Sequence, residues 1–335
     1  MKRNMYEWVE QMKSAQVKKA LPVLSFPGIK LTSLTVRELI SNSDLQAKTM
    51  KAVADRCDTA ASVSMMDLSV EAEAFGAIVR FSDEEVPTVI GKLIDTLEEA
   101  EALKVPENGA GRTGLYIGAI KKASELITDR PIFAGVIGPY SLAGRLLDLT
   151  EVMIKCYTDP EIVHEVLKKA AQFTTNYILS FKANGANGVV IAEPAAGLLS
   201  PDLCEEFSTT YVKQIVDAVQ DENFVVIYHN CGNTLPLITS ILKIGAVGYH
   251  FGNAVQMSEI IKLMPNDKLV FGNVEPAGVF RYGTPETVRA KTLEIMNDCC
   301  SHSNFVISSG CDLPPLTPWE NIDAFFKAVD EFYSK

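Results

Sequence analysis

Phe224-Val225-Val226-Ile227-Tyr228-His229-Asn230-Cys231-Gly232-Asn233 decides how the chain is read. Its opening residues are apolar, β-branched or aromatic, and the run is short, as in a strand buried on both faces. Glycine then breaks the regular structure. His229 and Cys231 are two residues apart, so on an extended backbone both side chains leave from one face, at the strand's C-terminal end. A second run of this kind, Phe305-Val306-Ile307-Ser308-Ser309, leads into Gly310-Cys311-Asp312. One imidazole and two thiols just past buried strands match the donor set of a catalytic zinc, which takes three protein ligands and keeps one position open. A bare His-x-Cys is a weak signal, and its bland alternative is a strand-end pair without metal.

Working outward, strand patterns recur at 60–66, 131–137, 188–192, 246–251 and 269–273, and weakly at 77–81. Helical patterns lie between them: 1–20, 35–56, two pieces of 86–126, 141–156, 160–183, 200–219, 234–244, 258–263, 284–300 and from Thr317 onward. Asp159-Pro160, Ser200-Pro201 and Thr284-Pro285 pair a capping residue with proline at the first helical turn. Strand–helix alternation with near-continuous apolar strands predicts a parallel sheet covered on both faces. Seven clear strands and one weak one predict an α/β fold, a (β/α)8 TIM barrel. Residues 1–56 read as a helical and extended N-terminal segment packing on the barrel, and 57–335 as the barrel itself. Polar residues collect just past the strands: Asp67, Glu193, His229, Cys231, Asn273, Cys311 and Asp312. In a barrel these ends form the one face that carries the active site. The bland role of Asp67 and Glu193 is helix capping.

Composition narrows the classes. The 335 residues are 47% hydrophobic and carry a net charge of −11, which argues against general nucleic-acid binding. No stretch has the roughly 18 apolar residues of a membrane span. The first twenty residues form a charged amphipathic pattern without the apolar centre of a signal peptide. Seven cysteines without a secretory signal predict reduced thiols and a cytoplasmic location. Cys57, Cys156 and Cys204 fall on helical patterns and read as core residues.

With Gly310-Cys311-Asp312-Leu313-Pro314-Pro315-Leu316-Thr317-Pro318 added to His229-x-Cys231, the chain resembles the methylcobamide:coenzyme M methyltransferases of the uroporphyrinogen decarboxylase superfamily. Met66-Asp67-Leu68-Ser69-Val70-Glu71-Ala72-Glu73-Ala74-Phe75-Gly76, Gly138-Pro139-Tyr140-Ser141-Leu142-Ala143 and Gly272-Asn273-Val274-Glu275-Pro276 carry the same resemblance, which runs from about residue 30 to the C-terminus.

The resemblance implies a barrel of the uroporphyrinogen decarboxylase type and Zn2+ on His229, Cys231 and Cys311. It implies methyl transfer from methylcobalamin or a protein-bound corrinoid to a thiol acceptor such as coenzyme M. Glu193, Asp67 and Asp312 are the candidate catalytic carboxyls, with Asp312 or Glu193 orienting His229 or the incoming thiol. Tyr140, Asn273 and His250 are candidates to line the cofactor pocket. The chain has no corrinoid-binding Asp-x-His-x-x-Gly, so the cobalamin comes free or on a separate small corrinoid protein. The chain itself is expected as a monomer or homodimer. An acceptor sulfonate would want a cation, for which Arg112, Arg145 and Arg281 are available.

Two departures matter. Decarboxylating members carry Arg-Gln-Ala-Gly-Arg near the first strand, where this chain reads Leu21-Pro22-Val23-Leu24-Ser25-Phe26-Pro27-Gly28. Methyltransferase members place an acidic residue after the strand matching 246–251, where this chain has Gly252. Water, His250 and Glu193 are then the candidates for a fourth ligand. The competing readings are a tetrapyrrole decarboxylase and a non-catalytic barrel that binds corrinoids or tetrapyrroles.

Overall fold

The computed structural model describes residues 2–334; Met1 and Lys335, the outer ends of the two expected segments, lie outside them. Nine strands run through the described residues: β1 (Ser62–Val63), β2 (Ile78–Arg80), β3 (Thr88–Ile90), β4 (Ile132–Ile137), β5 (Gly188–Ala192), β6 (Val225–Asn230), β7 (Gly248–Phe251), β8 (Leu269–Val274) and β9 (Phe305–Ser309). Seven of them form a parallel sheet in the order β1-β4-β5-β6-β7-β8-β9. Helices follow the strands, the longest being Pro160–Ala183. This is the α/β barrel expected from the alternation.

The eighth position around the sheet is filled from an unexpected place. The weak strand at 77–81 is β2, but it pairs antiparallel with β3 in a hairpin outside the parallel sheet. Its residues are exposed or half-buried, so it lacks the two-sided burial of a barrel strand. Residues 88–90, expected within a helix, are β3. The gap between β1 and β9 is closed instead by residues 20–23. The Ala60 N–H donates to the Ala20 carbonyl at 3.0 Å, and the Leu21 N–H donates to the Ile307 carbonyl at 3.1 Å. The Val23 N–H donates to Ser309 Oγ at 3.0 Å. A sheet edge with unpaired backbone groups is costly when buried, and this segment satisfies both edges.

Alternation along the strands divides the core. Val190 and Ala192, Val225 and Ile227, Leu269 and Phe271, and Val306 belong to an inner cluster that also takes Met5, Val9 and Met12 of the helix Met5–Ser14. The amphipathic helix expected over 1–20 is thus confined to Met5–Ser14. It plugs the end where the strands begin, with its first N–H donating to the Glu222 carbonyl. The intervening residues, such as Val189, Ile191, Val226 and Tyr228, pack outward under the helices. Period two then places His229, His250, Asn273 and Ser308 on the inner side, near the opposite end. Among the described residues no helix is long and apolar enough to cross a membrane.

Candidate metal centre

The inward parity of β6 carries His229 to its last turns and lets Cys231 follow on the same side. His229 is buried, while Cys231 and Cys311 are half-buried at the mouth. His229 Nε2 lies 3.4 Å from Cys311 Sγ. The donor atoms of His229, Cys231 and Cys311 all lie within 4.8 Å of one another, the one such group among the described residues. Tetrahedral zinc with bonds of about 2.0–2.3 Å sets its ligand atoms roughly 3.5 Å apart; the 3.4 Å between His229 Nε2 and Cys311 Sγ matches that spacing, and the three residues could hold such an ion.

The two thiols titrate as a pair. The hydrogen bond from Cys311 pulls Cys231 down to about 4, and His229 adds to the pull against burial. The same bond, together with burial, pushes Cys311 well up. A thiolate next to an imidazole nitrogen is a donor set that a divalent cation completes.

The back of the site is closed by His250. Its Nδ1 is 2.7 Å from His229 Nδ1, and its Nε2 is 2.8 Å from Ser308 Oγ. Burial pushes His250 well below the usual histidine range. Both of its nitrogens are engaged away from the thiols. Gly252 explains the missing acidic residue: a Cβ there would lie 2.5 Å from Cys231 Cα and 2.6 Å from Cys231 Cβ. With this backbone no side chain fits at 252.

The expected carboxyls face other partners. Glu193 is fully buried and accepts from the N–H groups of Tyr140 at 2.6 Å and Ser141 at 3.2 Å. These are the first free amides of the helix Pro139–Leu147, whose positive end favours a carboxylate. Burial outweighs them and pushes Glu193 up to about 7. Gly138 makes room, since a Cβ there would sit 2.1 Å from Glu193 Oε2. Asp312 faces Ser25 Oγ, 3.1 Å from each carboxyl oxygen, and burial pushes it up to about 8. The group that meets His229 Nδ1 is therefore His250, where Asp312 or Glu193 was expected.

Asp67 is saturated. It accepts from Ser69 N–H at 3.1 Å, Ser69 Oγ at 2.6 Å and Tyr116 Oη at 2.9 Å, and it pairs with Arg112. Tyr140 is buried, its hydroxyl 3.8 Å from Cys156 Sγ. Asn273 spends its amide on the carbonyls of Gly252 and Val255. Sequence reading missed Arg112, Tyr116 and Ser308 as partners in these networks. Only the inward parity of Ser308 on β9 was available as a signal.

A family model described as "Uroporphyrinogen decarboxylase (URO-D)" matches residues 27–332, and the chain belongs to that family. The methylcobamide:CoM methyltransferase MtbA of Methanosarcina acetivorans is 28% identical over 270 residues, covering 79% of this chain and 78% of that one. The uroporphyrinogen decarboxylase of Alcanivorax borkumensis is 24% identical over 310 residues, covering 89% of this chain and 86% of that one. A solved methyltransferase from Methanosarcina mazei superimposes with a TM-score of 0.86 at 24% identity, over 99% of both chains, which establishes the fold. The family thus includes relatives of both chemistries.

Proposed function

We propose that this chain is a zinc-dependent methyltransferase that moves a methyl group from a methyl-Co(III) corrinoid to the sulfur of a small thiol such as coenzyme M. The observation that carries this reading is the convergence of His229, Cys231 and Cys311 donor atoms within 4.8 Å at the barrel mouth. Bound zinc would supply the Lewis acidity that makes the acceptor thiol a thiolate near neutral pH. His229, Cys231 and Cys311 would hold the ion as three protein ligands, which leaves a place for the acceptor thiol. Gly252, pressed against Cys231, contributes no side chain to the site.

The barrel mouth then aligns the acceptor sulfur with the methyl carbon. The S–C bond forms as the Co–C bond breaks, the electron pair stays on cobalt as Co(I), and the thiol proton is released to solvent. The corrinoid arrives free or on a separate small protein that docks at the mouth. For an anionic group on the acceptor we assign Arg145. Arg112 is held by Asp67 and Glu73, and Arg281 donates to the Leu316 carbonyl at 2.6 Å. Arg145 borders a cavity of about 280 Å³ with Ile137, Ser141, Pro194 and Ala195 at the ends of β4 and β5.

The test is anaerobic mixing of the zinc-loaded chain with methylcobalamin and a panel of thiols that includes 2-mercaptoethanesulfonate. Loss of the methyl-cobalt absorbance with appearance of Co(I) is expected. A purified chain that takes up no zinc would sink the reading. Porphyrinogen decarboxylation is assayed in parallel, because decarboxylases are among the relatives; the arginine-free stretch from Leu21 to Gly28 supports a negative result.

A further inference from the structure

Three contacts lead from the candidate ligand His229 to the backbone of the closing N-terminal segment. His229 Nδ1 faces His250 Nδ1 at 2.7 Å, His250 Nε2 faces Ser308 Oγ at 2.8 Å, and Ser308 Oγ lies 2.7 Å from the Leu21 carbonyl oxygen. The far end sets the direction of every proton. A carbonyl only accepts, so Ser308 gives its single proton to Leu21. Ser308 Oγ then offers His250 only lone pairs, and His250 Nε2 must carry the N–H. An imidazole with one proton has a bare Nδ1 in that case. A 2.7 Å contact between two ring nitrogens needs one proton, and it comes from His229 Nδ1. The His250 carbonyl oxygen, 3.3 Å from His229 Nδ1, asks for a donor there as well. His229 Nε2 is left with a free electron pair, directed at Cys311 Sγ.

We propose that His250 and Ser308, anchored on the Leu21 carbonyl, are positioning residues that lock His229 in the tautomer whose Nε2 binds metal. The purpose rests on the metal reading above; the proton assignment does not. The arrangement also gives residues 20–23 a second role. The segment that closes the barrel supplies the fixed acceptor from which the order of protons starts. His250 therefore holds the orientation of the ligand without being a ligand.

The test begins with the unmodified, metal-free full chain. It has four histidines, so histidine-only 15N labelling gives a resolvable two-bond 1H–15N correlation spectrum. His229 protonated at Nδ1 and His250 at Nε2 is expected. His229 protonated at Nε2 overturns the proposal. Zinc affinity is then measured by chelator competition. Ser308→Ala is expected to bind zinc more weakly, by up to the roughly 10–100-fold seen when a ligand's own hydrogen-bond partner is removed. Ser308→Thr, which keeps the hydroxyl, is expected to recover all but a few-fold of that loss. Wild-type affinity in Ser308→Ala overturns the proposal. If Ser308→Ala fails to fold, the spectrum of the unmodified chain still decides. A chain with the expected tautomers that binds no zinc would refute the metal reading while leaving the relay standing.

Discussion

Two polar clusters lie at the C-terminal ends of the barrel strands, and they differ in what their atoms face. Around Asp67, after β1, both carboxyl oxygens have partners within the chain: Ser69 on one, Arg112 and Tyr116 on the other, with Arg112 also meeting Glu73. Around His229, after β6, the ring Nε2 and two thiols lie close to one another, while the ring Nδ1 meets His250. Both clusters are buried or half-buried, and both read from sequence as strand-end functional residues. The difference teaches that a strand-end position nominates a residue, whereas the state of its hydrogen bonds says which job it does. Both oxygens of Asp67 are taken by neighbouring side chains, whereas the donor atoms of His229, Cys231 and Cys311 lie close to one another.

The comparison breaks first at Cys311. Cys311→Ala is expected to stay folded and to lose more than about 100-fold in zinc affinity, beyond what outer-partner changes cost. Methyl transfer is expected to vanish with it. Metal analysis after dialysis checks this, and retained stoichiometric zinc would place Cys311 outside the site. Arg112→Met addresses the other cluster. Removing one partner of a buried ion pair costs about 3–5 kcal/mol, read as a lower urea midpoint. Zinc content should not change; a large loss of zinc would mean that the two clusters are one functional unit.

A smaller effect concerns pH. Burial raises Glu71 to about 8 and Glu193 to about 7, from an ordinary carboxyl value of 4.5. The folded state therefore binds more protons than the unfolded one between pH 4.5 and these values. Stability is fully present below about pH 4.5 and is lost as pH rises toward 7 for Glu193 and 8 for Glu71, by up to about 1.4 kcal/mol per pH unit for each group. Glu71→Gln keeps an acceptor for the Ile137 N–H, 3.0 Å away, and removes one titration. Urea unfolding of this variant from pH 5 to 8 should show a shallower slope; an unchanged slope would show that Glu71 is ionised in the fold. The smallest effect belongs to the surface. Arg289→Ala breaks an exposed pair with Glu331 and should cost less than about 1 kcal/mol with no change in zinc binding.

Much of this was legible in the chain. The run from Phe224 to Cys231 needs only period two to put His229 and Cys231 on one face, and the recurrence of such runs needs only a parallel sheet to bring their ends together. The run at Ala77–Phe81 misled because a short apolar stretch reads the same whether it is buried on both faces or lies in a surface hairpin. The pairing of Asp67 with Arg112 was not legible, because the two are 45 positions apart in sequence.

The sequence by itself determined the alternation, the barrel, the inward parity of the strands and the identity of three candidate ligands, because these follow from local periodicity and residue chemistry. Only the tertiary structure decided that residues 20–23 close the barrel, that Gly252 presses on Cys231 and that Glu193 caps a neighbouring helix. It also decided that His250 and Ser308 stand behind His229. Each of these is a contact between segments far apart in the chain, set by how two pieces of backbone approach, and no local pattern encodes that distance.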